Sequence, residues 1–134
     1  MRVVSDNEKC IGCLACVVTC MDHHFDINDK DAVSFRNYKR YTHPSGFTAY
    51  ITESCHHCED APCMDVCPAG AISRDEKGIV HVDKEACIGC MACSAACPFD
   101  IPKFDPEGNM VKCDLCGGDP ECVKACPAGA LAIQ

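Results

Sequence analysis

Sixteen cysteines sort into four local tetrads with none left over. The first is Cys10, Cys13, Cys16 and Cys20, spaced C-x2-C-x2-C-x3-C. The second is Cys55, Cys58, Cys63 and Cys67, spaced C-x2-C-x4-C-x3-C and followed by Pro68. The third, Cys87, Cys90, Cys93 and Cys97, repeats the first spacing and ends at Pro98. The fourth is Cys113, Cys116, Cys122 and Cys126, spaced C-x2-C-x5-C-x3-C and followed by Pro127. With five Phe, three Tyr and no Trp in 134 residues, the apolar material for a core is thin. A chain of this size then needs disulfides or metals as internal staples.

Disulfides require an oxidising compartment. The opening residues Met1-Arg2-Val3-Val4-Ser5-Asp6 carry no apolar h-region, twin arginine or cleavage site, and no apolar stretch approaches a membrane span. The expectation is a cytoplasmic chain without a membrane span, whose cysteines bind metal. Zinc sites clamp one ion between cysteine pairs a dozen or more residues apart. Here each tetrad crowds into 11 to 14 residues, which leaves a structural zinc protein as the weaker alternative.

Three cysteines two residues apart on a tight loop can wrap three corners of one iron–sulfur cubane, with backbone amides aimed at its sulfurs. Gly12 and Gly89, at matching places in tetrads one and three, permit that close approach. The fourth cysteine, three residues on, is expected to start a short helix directed away and to ligate the other cluster of a pair. The proline after it fixes the exit of the chain. Sixteen cysteines then imply four [4Fe–4S] clusters as the cofactors. Side chains give a net charge of −8, and each all-thiolate cubane adds roughly −2. Such a chain disfavours nucleic acid and anionic membranes and suits a partner presenting Lys and Arg.

The tetrads also repeat. CIGCLACVVTC (Cys10 to Cys20) and CIGCMACSAAC (Cys87 to Cys97) agree at seven of eleven positions, and CPAGAI from Cys67 matches CPAGAL from Cys126. The chain reads as a duplicated two-cluster ferredoxin. Between tetrads two and three the sequence predicts a turn at Asp75–Gly78 and a return strand from Gly78 to Val82. That compact connector suits tetrads two and three facing each other. The 34 residues from Met21 to Ser54 are too many for a minimal connector, which leaves tetrad four as partner of tetrad one. A strand at Arg2–Ser5 could then pair with Ala130–Ile133.

The four tetrads, in this order and with these spacings, resemble the four-cluster iron–sulfur subunits of the dimethyl-sulfoxide-reductase type. Relatives of that kind serve formate dehydrogenases, hydrogenases, carbon-monoxide dehydrogenase and tungsten aldehyde oxidoreductases. The resemblance runs from Val3 to the C-terminus. It implies an α+β fold of two ferredoxin-like halves, with short antiparallel strands and short helices around the clusters. The outer half would be residues 1–47 and 111–134, the inner half residues 48–110. Carried over, the ligand sets would be Cys10, Cys13, Cys16 and Cys126 (cluster A); Cys113, Cys116, Cys122 and Cys20 (cluster B); Cys55, Cys58, Cys63 and Cys97 (cluster C); and Cys87, Cys90, Cys93 and Cys67 (cluster D). Larger members carry insertions, secretion signals or a membrane tail that this sequence lacks, which again favours a cytoplasmic complex. Tetrad one departs from the others in having Met21 where they have proline, as is usual in the family.

Other residues carry weaker signals. His56 and His57, inside tetrad two, read as hydrogen-bonding groups beside a cluster rather than ligands, since no cysteine is missing for Rieske ligation. His23 and His24 read as solvated loop residues in preference to a metal site. The segment Met21–Phe47 carries Arg36, Lys39 and Arg40 among Phe35, Tyr38 and Tyr41, then Pro44-Ser45-Gly46. It reads equally as a docking surface or as a cover over a cluster. Phe99 and Phe104 read as lids on a cluster, and Pro106–Asn109 as a turn before Met110–Lys112.

No catalytic residues are read from the sequence. The function expected is a non-catalytic electron-transfer subunit of a hetero-oligomeric oxidoreductase. Its partner would be a catalytic redox subunit, foremost a molybdenum- or tungsten-pterin enzyme, with a soluble ferredoxin or flavin subunit as a further partner. The alternative is a free-standing soluble polyferredoxin.

Overall fold

A computed structural model of the protein describes residues 1–26 and 28–134. Its strands form antiparallel pairs. Strand β1 (Val3–Ser5) pairs with the last strand, β8 (Leu131–Ile133), in the register Val3 to Ile133, tying the two ends of the chain together. Strand β2 (Asn37–Thr42) pairs with β3 (Thr48–Glu53), β4 (Ile72–Arg74) with β5 (Val80–Val82), and β6 (Lys103–Phe104) with β7 (Met110–Val111). Among the described residues an α-helix begins inside each tetrad: α1 (Ala15–His24), α2 (Pro62–Asp65), α3 (Ala92–Ala96) and α4 (Glu121–Ala125). None is long and apolar enough to cross a membrane. Helix α1 packs on α4, and α2 on α3.

The helices correct one expectation. The third cysteine of each tetrad, not the fourth, lies at the start of the helix, and in tetrads two, three and four the fourth lies at or just beyond its end. Cys97 and Cys126 are the C-terminal caps of α3 and α4, and Cys67 follows α2 by two residues. Pro68, Pro98 and Pro127 explain the stop, because the residue before a proline is steered out of helical backbone. Tetrad one has Met21 instead, so α1 runs on and Cys20 sits inside it.

The turn expected at Asp75–Gly78 is present, with Gly78 N–H donating to the Asp75 carbonyl at 3.1 Å. The return strand starts at Val80, later than expected, because the Asp75 carboxylate holds the Lys77 and Ile79 amides at 2.9 Å each. Asp105 builds the β6–β7 turn in the same way, accepting from Glu107 and Asn109. The hairpin β2–β3 was not foreseen within the Met21–Phe47 segment. Its turn is closed by His43 N–H donating to the Phe47 carbonyl at 2.7 Å. Tyr38 and Tyr50 stack across it at 6.2 Å, and β3 also touches β1.

All four cysteine loops pass through left-handed backbone at one position, the residue before the second cysteine. These are Gly12 (φ +70°), His57 (φ +46°), Gly89 (φ +69°) and Leu115 (φ +55°). Only the two glycines were legible as such. A Cβ at Gly12 would lie 2.6 Å from the Tyr50 ring, and one at Gly89 would lie 2.8 Å from the Gly108 carbonyl in the β6–β7 turn. The close approaches served by these glycines therefore include protein neighbours.

Two cores meet at adjacent residues of one extended segment. Ile79 is fully buried with Val3, Cys16, Leu115, Cys122 and Leu131, whereas Val80 is buried with Ile72, Cys93 and Met110. Successive residues of an extended chain point to opposite sides, so this segment joins both cores.

Ile79→Ala is expected to cost about 2–5 kcal/mol, read as a lower denaturant midpoint for loss of cluster absorbance. Both Gly12→Ala and Gly89→Ala should incur about 1–2 kcal/mol for left-handed backbone. Gly89→Ala should cost more than Gly12→Ala in the same titration, because a turn carbonyl yields less readily than a tyrosine ring.

Candidate metal centres

Three cavities are each lined by four cysteines. One is lined by Cys10, Cys13 and Cys16 with Cys126. Another is lined by Cys55, Cys58 and Cys63 with Cys97. The third is lined by Cys87, Cys90 and Cys93 with Cys67. In each, two cysteines come from a loop, the third from the first turn of the helix after it, and the fourth from at or just beyond the end of another tetrad's helix. Most of the remaining wall is aliphatic or aromatic carbon. The other four cysteines converge at a fourth place: Cys20 lies within charge-coupling range of Cys113, Cys116 and Cys122, and it packs with Cys113 around Phe35 and Val111.

None of the sixteen cysteines is in a disulfide. Burial pushes the Cys113 thiol up to about 11 and also raises Cys20, Cys58, Cys63, Cys93, Cys116 and Cys122. Gathering four such sulfurs as thiolates needs compensating positive charge, and a cubane core of about +2 supplies it. Donor type, number and enclosure therefore fit [4Fe–4S] clusters.

Backbone amides meet the sulfurs where the loops and turns aim them. Phe35 N–H donates to Cys20 Sγ at 3.3 Å, His57 N–H to Cys55 at 3.3 Å, Met110 N–H to Cys87 at 3.4 Å and Leu115 N–H to Cys113 at 3.4 Å. The repeated Cys-Pro-Ala-Gly-Ala run turns back so that Ala71 N–H reaches Cys67 and Ala130 N–H reaches Cys126, each at 3.3 Å. Those amides hold the Cys67 thiol below its usual range. For Cys126 burial acts in the raising direction, but the amides of Ala130, Ala128, Leu131 and Gly129 together bring it down.

The two tetrad-two histidines differ. His56 stacks on Phe99 at 3.8 Å, and both border the Cys55/Cys58/Cys63/Cys97 cavity. Its Nε2 lies 2.8 Å from Glu53 Oε1 and its Nδ1 lies 3.2 Å from Arg2 Nη1. His57 is buried and accepts from Val80 N–H at 2.9 Å through Nδ1. Burial drives its pKa down to about 3, with the Lys112 charge adding to the effect. It is a neutral packing group. Phe104 borders the Cys67/Cys87/Cys90/Cys93 cavity, as expected of a lid.

His23 and His24 depart from the expected solvated loop. Both lie in the last turn of α1. His24 is half-buried, stacked on Phe35 at 4.5 Å, with Nε2 3.6 Å from Asp114 Oδ1 and 4.0 Å from Cys116 Sγ. His23, His24 and Cys116 could group around an ion, but Cys116 already belongs to the fourth convergence.

The basic-aromatic segment splits in two. Phe35 and Arg36 are buried and act as cover, whereas Lys39, Arg40 and Tyr41 are exposed. Arg36 donates to Ser54 Oγ at 3.0 Å, Thr52 Oγ1 at 3.1 Å and Cys122 Sγ at 3.7 Å. Lys112 is buried with Nζ on the carbonyls of Val80 and Cys113. Arg74 gathers the carbonyls of His57, Cys58 and Glu59, bracing the loop of tetrad two. Sequence reasoning missed Lys112 and Arg74; their only signal was a basic residue beside or near a tetrad.

Two overlapping matches to the 4Fe-4S dicluster domain cover residues 47–134 and 9–71. The chain is 40% identical to the B subunit of the anaerobic dimethyl sulfoxide reductase of Haemophilus influenzae, over 94% of this chain and 69% of that protein. It is 40% identical to the thiosulfate reductase electron transfer subunit PhsB of Salmonella typhi, over 96% of this chain and 72% of PhsB. It is 39% identical to the hydrogenase-2 operon protein HybA of Escherichia coli O157:H7, over 98% of this chain but only half of HybA. The chain belongs to this family of 4Fe-4S dicluster proteins, the iron–sulfur electron-transfer subunits of the dimethyl-sulfoxide-reductase type, which are not catalytic by themselves.

Proposed function

We propose that this chain relays single electrons between a catalytic redox subunit, foremost a molybdenum- or tungsten-pterin enzyme, and a second carrier. The observation that carries the reading is the gathering of sixteen cysteines into four sites, each built from three cysteines of one tetrad and the fourth of another. When bound, the clusters supply reversible one-electron chemistry. The chain supplies their ligands, amide donors, insulation and order.

The ligand sets proposed are Cys10/Cys13/Cys16/Cys126, Cys113/Cys116/Cys122/Cys20, Cys55/Cys58/Cys63/Cys97 and Cys87/Cys90/Cys93/Cys67. They divide between two ferredoxin-like halves of α+β type, supported by the packing of α1 on α4 and α2 on α3. Cys16 and Cys122 share one core, Cys63 and Cys93 another, and Cys113 lies within charge-coupling range of Cys55. That supports the series A, B, C, D. The loops of sites A and D expose Ile11, Leu14, Ile88 and Met91, side chains suited to dock electron partners. The exposed Lys39, Arg40, Tyr41 and Phe47 of the β2–β3 hairpin offer a further contact for an acidic partner surface. Sixteen thiols kept reduced until loaded suit a cytoplasmic setting.

Purification of the tagged native chain under anaerobic conditions should bring down a large pterin-containing subunit, identified by mass spectrometry; a chain recovered alone would overturn the partner assignment. Cys20→Ser and Cys122→Ser should each disturb the same electron paramagnetic resonance signal and leave the others in place. Two different signals disturbed would refute the exchange of fourth cysteines.

A further inference from the structure

Three basic side chains lie inward against one of the four sites. Arg36, only 3% exposed, contacts Cys122 Sγ at 3.7 Å and acts on Cys20. Lys112, 7% exposed, sits beside Cys113. Lys103 is half-buried, bonded to the Ser34 carbonyl, and acts on Cys20. Among the described residues none of the three forms an ion pair with a carboxylate. Arg36 is held by the hydroxyls of Ser54 and Thr52, which orient it without neutralising it. Asp100 acts on Lys103, and Asp114 is the acidic group acting on Cys116.

Among the described residues no other site has a Lys or Arg side chain in contact with a ligand sulfur. The Cys10/Cys13/Cys16/Cys126 and Cys67/Cys87/Cys90/Cys93 cavities have no Lys or Arg in their walls. The Cys55/Cys58/Cys63/Cys97 site feels Arg2 at Cys58 and Lys112 at Cys63, and Arg74 holds the carbonyls of its loop, but no cation contacts one of its sulfurs. Amide donors do not favour this site: each site has one or two N–H to Sγ bonds, and the further amides that lower Cys67 and Cys126 lie at two other sites. What sets the Cys20/Cys113/Cys116/Cys122 site apart is a guanidinium on a ligand sulfur, Arg36 on Cys122.

We propose that Arg36, Lys112 and Lys103 make the cluster held by Cys20, Cys113, Cys116 and Cys122 the one of highest reduction potential, the place where an electron entering the relay comes to rest. The inference rests on the ligand set proposed above. Reduction adds one negative charge at a buried site, which burial alone opposes. Cations a few ångströms away, in a medium of effective dielectric constant about 20, outweigh a tenfold factor in the reduction equilibrium. The three side chains act through the cluster's surroundings and are positioning residues, not ligands.

The test is a potentiometric titration of the purified, cluster-loaded chain, followed by electron paramagnetic resonance. The signal disturbed by both Cys20→Ser and Cys122→Ser should have the highest midpoint of the four. Arg36→Gln should lower that midpoint by at least a tenfold change in equilibrium, about 59 mV for one electron. Arg36→Lys, which keeps the charge, should restore most of it. Lys103→Met should lower the same midpoint and stands as the independent variant if Arg36→Gln fails to load. An unchanged midpoint in the neutral variants, an equal drop in Arg36→Lys, or a higher midpoint at another cluster would overturn the proposal. Different signals disturbed by the two cysteine variants would instead overturn the ligand set.

Discussion

Thiolate sulfur is costly to bury, and this fold brings it together four sulfurs at a time. Burial alone raises these thiols, Cys113 to about 11, so the sites become favourable only with positive charge and donated amides. Aiming the amides inward requires each loop to turn through left-handed backbone just before its second cysteine. Glycine meets that demand cheaply at Gly12 and Gly89. At His57 and Leu115 the same turn costs about 1–2 kcal/mol. Burying Leu115 fully recovers about 1.5–3 kcal/mol, and the Val80 amide on His57 Nδ1 recovers about 1 kcal/mol. The strain is thus placed where burial and hydrogen bonding offset it.

The cysteines are also the core. Cys16 and Cys122 stand among Val3, Ile79, Leu115 and Leu131, and Cys93 among Ile72, Val80 and Met110. Little else is large and buried, so folding and metal loading are one process in a chain like this. The segment from Ile79 into β5 links the two cores by sending neighbouring side chains into different ones. A change in either core is therefore felt at the other.

Much of this was legible in the sequence. Local spacing marks the tetrads directly, because one loop and the helix turn after it supply three ligands. The Asp75 turn also follows from a short-range signal, and the pairing of β1 with β8 from matching tetrad one with tetrad four. Other features depend on long-range packing and left no local trace. The β2–β3 hairpin is mostly polar or exposed along β2 and showed no alternation to read. Arg36 read equally as a docking anchor or as part of a cover, since nothing in the sequence indicates that Ser54 and Thr52 will wrap its guanidinium. The left-handed role of His57 and Leu115 was hidden because neither is a glycine, though both stand where Gly12 and Gly89 stand in the other tetrads. The helix ends were readable in principle from the prolines after three of the four tetrads.

The two kinds of spacing divide the labour of a relay. The compact C-x2-C-x2-C loops of tetrads one and three carry the two exposed cysteines, Cys13 and Cys90, together with exposed Ile11 and Ile88. Tetrads two and four have longer gaps before the third cysteine, with Pro62 and Pro120 at the helix starts. Their left-handed residues, His57 and Leu115, point inward and are buried where Gly12 and Gly89 have no side chain to bury. A relay needs accessible ends, so that partners come within transfer distance, and an insulated middle, so that electrons do not leak to solvent. The short loops suit the ends and the long loops the middle. The basic residues Arg36, Lys103 and Lys112 follow the same logic. A charge placed at the surface is screened by water and salt, whereas the same charge in the interior keeps its leverage.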